Sequence, residues 1–465
     1  MNQQPAISVA ELELDASGAA VGLRAAPGAP GPVPGEVYAL VRVDGRPVAT
    51  VLGRYEESED PAEVLAALAV PRLADGTAPR ADAERLAAKE AAAAAAAGPQ
   101  AAGRGAAGPV AAGRGAAGPV AAGRGAAGPG PGVVPPRASV IVATRERPES
   151  LARALDSLLA QDHPDHELIV VDNAPRTTDT HDLVTHKYAG RVRYVREDTP
   201  GLAVAHNSGA AAADGEVLAF TDDDVIADPR WLTALTGPFA ADPRLGCVTG
   251  LILPARLTTP AQILLESHGG FAKGFAPRLY DPARPPADEP LFPFTAGSFG
   301  SGANMAFRAA ALRQAGGFDP ATGTGTPAKG GDDLYAFVAV LSAGFRLRYT
   351  PEALVWHHHR ETWQDLRNQA YGYGAGLTAY LTATLVRRPR MLPALLTRLP
   401  RGLAYARSMT AQRGEGAGGV PGEHGTQHHP WPRSLSRLER RGMLYGPIGY
   451  ARARARDAFR KADAR

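Results

Sequence analysis

The stretch that most limits what this chain can become runs from Ala138 to Asp224. It opens with ASVIVAT (138–144), an unbroken β-branched apolar run of the kind that forms a strand buried on both faces. RERPESLARALDSLLAQ (145–161) follows, with Leu151, Leu155, Leu158 and Leu159 on one helical stripe and Pro148 suited to the first turn. HELIVVDN (166–173) and RVRYVRE (191–197) read as strands, PGLAVAHNSGAAAADG (200–215) as a helix, and EVLAFTDDD (216–224) as a fourth strand. Strands alternating with helices predict an α/β domain with a mainly parallel sheet and right-handed crossovers.

Ligands of such sheets bind beyond the carboxyl ends of the strands. Those ends carry Thr144-Arg145, Asp172-Asn173 and Asp222-Asp223-Asp224. Three adjacent carboxylates repel one another unless a cation or water neutralises them. FTDDDV (220–225) is therefore either a solvated loop or a divalent metal site, and the convergence of polar strand ends favours the metal. No G-x-G-x-x-G and no G-x-x-x-x-G-K-[ST] follows the first strand; ATRERPE stands there instead. A diphosphate would then have to be neutralised by Mg2+ or Mn2+ held on carboxylates.

The flanking regions differ in texture. Residues 1–90 predict a small separate α+β unit, with a hairpin at EVYALVRVDGRPVATV (36–51) around Asp44-Gly45 and a helix carrying Leu65, Leu68 and Leu73. Residues 91–136 hold an alanine run and three ten-residue repeats, AAGRGAAGPV twice and AAGRGAAGPG once, and predict a disordered linker with too little apolar surface to fold. The single cysteine, Cys247, excludes an intrachain disulfide and a Cys-based zinc site, which suits a reducing cytosol. The N-terminal MNQQPAISVAELELD has no signal-peptide pattern, and no run is long and apolar enough for a transmembrane helix.

Four segments together resemble family 2 glycosyltransferases of the GT-A fold. They are SVIVATRERPESLARALDSLLAQDHPDHELIVVDNAP, GLAVAHNSGAAAADGEVLAFTDDDV, SGANMAFRAAALRQAGGFDP and GGDDLYAFVAVLSAGFRLRYTPEALVWHHHR. The resemblance covers roughly residues 137–375 in consistent order. It implies a GT-A domain with a mixed, mainly parallel sheet, a nucleotide-diphospho-sugar donor, Mg2+ or Mn2+, and inversion at the anomeric carbon. Thr144, Arg145 and Arg147 match the loop beside the donor base, and Asp172-Asn173 the acidic pair next to it. Asn173 stands where a second acid is common, and His206 precedes Asn207 where Arg-Asn is common. Asp222 would face the nucleotide sugar and share the metal, Asp224 would be a metal ligand, and Asp223 falls between the two roles. Asp333 would be the general base, with Asp332 beside it where Glu is frequent. A carboxylate taking the acceptor's proton and a metal on the departing diphosphate are the two tasks an inverting transfer sets. His357, with His359 second, would complete the metal site, and Gly302, Asn304 and Trp231 would lie toward the acceptor.

From Arg387 to Arg465 the chain carries 17 Lys+Arg against 5 Asp+Glu, a net +12, so the rest carries −9. Residues 376–465 predict a basic helical region that either packs on the catalytic domain or meets an anionic membrane surface, placing the protein in the cytoplasm or at the inner face of the plasma membrane. The expected partners are the donor and a glycan or lipid-linked acceptor; nucleic acid is not expected. A metal-dependent nucleotidyltransferase and a non-catalytic sugar-nucleotide-binding protein are the competing readings.

Overall fold

The computed structural model describes residues 6–74, 135–267, 270–398, 400 and 431–463. The repeats of 101–130 lie outside the described residues, so the linker expected there is not addressed by the structure.

The N-terminal unit is a four-stranded sheet in the order β2-β1-β3-β4, made of β1 (Ser8–Leu14), β2 (Ala20–Ala25), β3 (Gly35–Val43) and β4 (Arg46–Tyr55). β3 and β4 form the hairpin expected at Asp44-Gly45, which pairs Val43 with Arg46. Both turn residues have positive φ, 51° and 73°, as a two-residue turn matching strand twist requires. Helix α1 (Pro61–Ala74) packs its Leu65 beneath this sheet, while Leu68 is 40% exposed rather than inward.

The second sheet has nine strands. Its path begins with β11 (Arg278–Tyr280), β13 (Arg346–His357), β10 (Leu245–Pro254) and β12 (Asn304–Arg308). It continues with β8 (Val217–Asp222), β5 (Ala138–Thr144), β6 (His166–Asn173) and β7 (Val192–Glu197), while β9 (Val225–Ala227) pairs with β13 off this path. β8, β5, β6 and β7 run parallel, and so do β10 and β13; β12 lies antiparallel between the two groups. Alternation along β5 explains why both faces are covered. Val140 and Val142 face α2 (Pro148–Leu158), while Ile141 faces α3 (Leu202–Ala212) and the Phe220–Phe307–Phe318 aromatic cluster. Trp231 anchors α4 (Trp231–Ala241) on the α2 side.

α2 is shorter than the stripe predicts. Glu146 has φ 56° and its carboxylate accepts the N–H groups of Arg176 and Thr177 at 2.7 and 3.3 Å, so residues 145–147 form a loop at the strand end instead of a first turn. The fourth strand likewise stops at Asp222, because Asp223-Asp224 make the turn into β9.

Among the described residues the C-terminal part includes α8 (Trp363–Arg387) and α9 (Arg433–Asp463), which pack along each other, and α8 also packs onto α7 (Asp332–Ser342). α8 runs unbroken through residue 375, where the sequence reading divides two regions. A Cβ on Gly374 would run into the Glu439 carbonyl, and one on Gly442 into the Tyr371 carbonyl, so glycine permits this close approach. The buried face of α8, with Ala370, Ala375, Ala379 and Tyr380, is used for internal packing. No helix among the described residues is long and apolar enough to cross a membrane.

Candidate active site

The carboxyl edge of the parallel strands gathers the acidic residues. Thr144 at the end of β5 donates its hydroxyl to Asp223 Oδ2 at 2.6 Å. Arg147, in the loop before α2, donates to Asp223 Oδ1 at 2.5 Å and to Asp224 Oδ2 at 2.8 Å. Asp223 is thereby committed to Thr144 and Arg147, and it is not among the second group that Asp224 joins.

That second group arises from the β9–β13 pairing. Val225 is the register partner of His357, and the His358 N–H donates to the Asp224 carbonyl at 2.9 Å. His357 Nε2 consequently stands 3.3 Å from Asp224 Oδ1. Ligand atoms of Asp222, Asp224 and His357 all lie within 4.8 Å of one another. Asp224 Oδ1 is buried without a hydrogen bond of good geometry. Burial pushes Asp222 up to about 7, helped by the Asp224 charge. Burial and the Asp224 charge also raise Asp223, to about 6, against the pull of Arg147. Burial would raise Asp224 too, but His357 and Arg147 overcome it and hold that carboxyl well below the usual range. The site thus keeps one firmly ionised carboxylate beside one that sheds its proton near neutrality.

Asp333 comes from the other side of the sheet. β12 sets Asn304 opposite Thr221, which brings the preceding Gly302 alongside the end of β8. The Gly302 N–H donates to Asp333 Oδ2 and the Leu334 N–H to Oδ1, both at 2.8 Å. Asp333 therefore lies in the first turn of α7 with its carboxylate braced by two backbone donors. Burial and the neighbouring Asp332 raise it to about 6. Asp332 itself is buried and faces His206, Nδ1 to Oδ2 at 3.4 Å, beneath Phe220 and Phe318. Its geometry is that of a support for the α7 start.

Other expected residues have internal partners. Asn173 donates to the Thr199 carbonyl at 2.7 Å and accepts the Gly201 N–H at 2.9 Å, holding the entry to α3. Asn207 clamps Phe318 through both its backbone groups, at 2.9 and 3.0 Å. Asp172 is fully buried, accepts the Tyr194 hydroxyl at 2.8 Å, and is raised by burial more than that bond lowers it. Arg145 is half-buried at the end of β5. Trp231 and Asn304 are fully buried and bond to each other at 2.9 Å, and Asn304 also donates to the carbonyls of Leu251 and Ala353. These two belong to the core that supports the site, which corrects their expected acceptor-side placement. Three residues went unread in the sequence: Arg360, 3.7 Å from Asp224 Oδ2; Lys273, on which the Asp333 charge acts; and Glu266, bonded to His359 at 3.1 Å. Each lies in a segment without periodic signal.

A mainly parallel sheet with an Asp-Asp-Asp turn on its carboxyl edge and a helix-start carboxylate across from it is the GT-A arrangement. Residues 139–314 match the model for glycosyl transferase family 2, and residues 292–436 that for glycosyl transferase family group 2. A pre-mycofactocin glycosyltransferase of Mycobacterium tuberculosis is 28% identical over 244 residues, which are 51% of this chain and 46% of that protein. The chain thus spans under half the length of that relative. The glucosyl-dolichyl phosphate glucuronosyltransferase of Haloferax volcanii is 25% identical over 236 residues, 48% of this chain and 69% of that protein. A mannosyltransferase from Pyrobaculum calidifontis, solved in complex with GDP-Man and Mn2+, superposes with a TM-score of 0.42 and 20% identity over 69% of this chain and 90% of that one.

Proposed function

We propose that this protein transfers a sugar from a nucleotide-diphospho-sugar donor to a hydroxyl of a glycan or lipid-linked acceptor, with a divalent cation and with inversion at the anomeric carbon. The observation that carries this reading is the meeting of Asp222, Asp224 and His357 within 4.8 Å, with a buried Asp224 oxygen left over. Two carboxylate oxygens and an imidazole nitrogen suit Mg2+ or Mn2+, Mn2+ the better for the nitrogen. Such a cation, when bound, neutralises charge on the departing diphosphate.

The protein's own groups do the rest. Asp333, ionised, accepts the proton of the acceptor hydroxyl as that oxygen bonds to the anomeric carbon. The bond from that carbon to the diphosphate oxygen breaks, and its electron pair leaves with the nucleoside diphosphate. The two N–H donors from Gly302 and Leu334 fix the carboxylate so that one geometry serves the transfer. Arg147 and Thr144 hold the aspartate turn in place.

The acceptor side of the reading extends to a membrane surface. Leu444, Ile448 and Phe459 are 79%, 52% and 72% exposed on α9, and fall within about 60° of one another on a helix turning 100° per residue. Arg437, Arg440, Arg441 and Arg452 share or border that face, which suits contact with anionic lipid.

A screen of nucleotide sugars with Mn2+, reading release of nucleoside diphosphate, tests the reaction. Release of pyrophosphate instead would make the protein a nucleotidyltransferase. Binding without turnover toward any hydroxyl acceptor would favour the non-catalytic reading.

A further inference from the structure

The two nitrogens of His357 have different surroundings. Nε2 looks toward Asp224, while Nδ1 lies 3.1 Å from Nδ1 of His359. His359 Nε2 is in turn 3.1 Å from Glu266 Oε2. The Tyr38 hydroxyl stands 3.4 Å from Glu266 Oε1, at the outer edge of hydrogen-bond range. Tyr38, Glu266 and His359 are 0%, 5% and 3% exposed. They come from three separate places: β3 of the N-terminal unit, α5 (Pro260–Ser267), and the residues just after β13.

The hydrogens along this chain can be assigned from its far end. An ionised carboxylate only accepts, so Nε2 of His359 carries the hydrogen that meets Glu266. In the neutral ring Nδ1 of His359 is then bare and must accept. The hydrogen between the two rings therefore belongs to Nδ1 of His357. That leaves Nε2 of His357 bare and aimed at Asp222 and Asp224. The opposite tautomer would set two bare nitrogens face to face in a buried place, and its Nε2–H would point at Asp224 Oδ1, 3.3 Å away, where a cation would have to bind.

We infer that Glu266 and His359 are positioning residues that fix the His357 tautomer and ring angle so that Nε2 presents its lone pair to a divalent cation. The inference rests on the metal reading above. Phe271 packs on both rings, with centroids 5.3 and 5.6 Å away, and the Gln262 side chain holds the His359 carbonyl at 3.1 Å. His359 is thus a connector and not an alternative ligand. Tyr38 brings the N-terminal unit into the support of the site.

Binding of Mn2+ alone to the full chain, followed by electron paramagnetic resonance of the free ion, tests this, with thermal unfolding of each variant measured alongside. His359→Leu should weaken Mn2+ binding by about 10–100-fold, the range typical of outer partners of metal-ligating histidines. His359→Asn keeps an acceptor oxygen close to the Nδ1 position and should lie between His359→Leu and wild type. Glu266→Gln keeps the shape but removes the charge, and should weaken binding less than His359→Leu. A purely structural role would lower the unfolding temperature of these variants with Mn2+ affinity unchanged, and that result overturns the inference. Equal affinities for His359→Asn and His359→Leu overturn the tautomer assignment as well. If His359→Leu does not fold, His359→Asn and Glu266→Gln decide. His357→Ala separates the two levels: if it leaves Mn2+ affinity untouched, the metal reading itself fails and the relay falls with it.

Discussion

Asp224 and His357 face each other at 3.3 Å because the two-residue turn after β8 delivers β9 directly against the end of β13. The turn is made of the repelling aspartates themselves, so the site is built into the chain reversal. Asp224→Ala removes the carboxylate held well below the usual range. Mn2+-dependent donor binding should fall by about 100-fold or more, since outer partners alone are worth 10–100-fold. Asp223→Asn, which touches only Thr144 and Arg147, should cost much less. Isothermal titration of the nucleoside diphosphate with and without Mn2+ checks both, and equal losses would contradict the division of roles.

Asp333 gives the pH dependence. Burial and Asp332 raise it to about 6, so it is protonated below that pH and cannot take the acceptor's proton. The rate at saturating donor should fall as pH drops through about 6. Asp333→Asn should lower kcat by about 10²–10⁴-fold while leaving donor affinity near wild type. The sign for stability is opposite to that for activity. A carboxyl whose folded pKa is raised adds stability below its unfolded value, near 4, and loses it as pH rises through about 6. Asp333→Asn loses one of the two acceptors for the Gly302 and Leu334 N–H groups at every pH. Whatever that constant cost, its unfolding temperature relative to wild type should therefore be higher at pH 7.5 than at pH 5. A difference between variant and wild type that stays the same from pH 5 to pH 7.5 would refute the burial cost assigned to this carboxylate.

The N-terminal unit is tied to the catalytic sheet by a buried ion triad. Arg42 reaches Glu11 at 3.0 Å and Asp228 at 2.6 Å, with side-chain exposures of 4%, 3% and 9%. Glu11 and Arg42 belong to the N-terminal sheet, and Asp228 follows β9. Arg42→Ala leaves Asp228 without its cation and Glu11 with only the exposed Arg24, and should cost about 3–5 kcal/mol. Replacing all three with apolar residues of similar volume should restore most of that loss. Chemical denaturation of the single and triple variants measures the difference; a single variant as stable as wild type would mean the triad does not hold the interface.

What was legible in the sequence follows from what is periodic or contiguous. The strands at 138–144 and 166–173 coincide with their apolar runs, because a strand buried on both faces leaves no alternating polar residues to blur its limits. The Asp44-Gly45 hairpin was visible as local chemistry, whereas the aspartate cluster stood out only by its charge: the strand expected to run to Asp224 ends at Asp222, and Asp223-Asp224 form a turn. Helix α2 began late, since the fate of residues 145–147 depends on Glu146 reaching Arg176 across a loop. Trp231 and Asn304, expected toward the acceptor, lie in the core instead, because their mutual bond joins β12 to α4 and nothing local marks it. Glu266 was invisible for the same reason: its neighbours in space, Tyr38 and His359, lie in other segments.

The exposed face of α9 yields the last expectation. Leu444, Ile448 and Phe459 would insert at a lipid surface while the flanking arginines meet phosphate groups. Each such arginine is worth about 1 kcal/mol on anionic lipid, a gain that salt screens within a Debye length. The full chain should co-sediment with vesicles containing phosphatidylserine and much less with phosphatidylcholine alone. Binding should weaken as salt is raised, and Leu444→Glu combined with Ile448→Glu should abolish it without changing Mn2+ affinity. Both positions point outward from the α8–α9 contact, so this variant should keep its fold. Equal binding of wild type and variant would mean that the face serves another purpose and that the acceptor reaches Asp333 without a membrane beneath it.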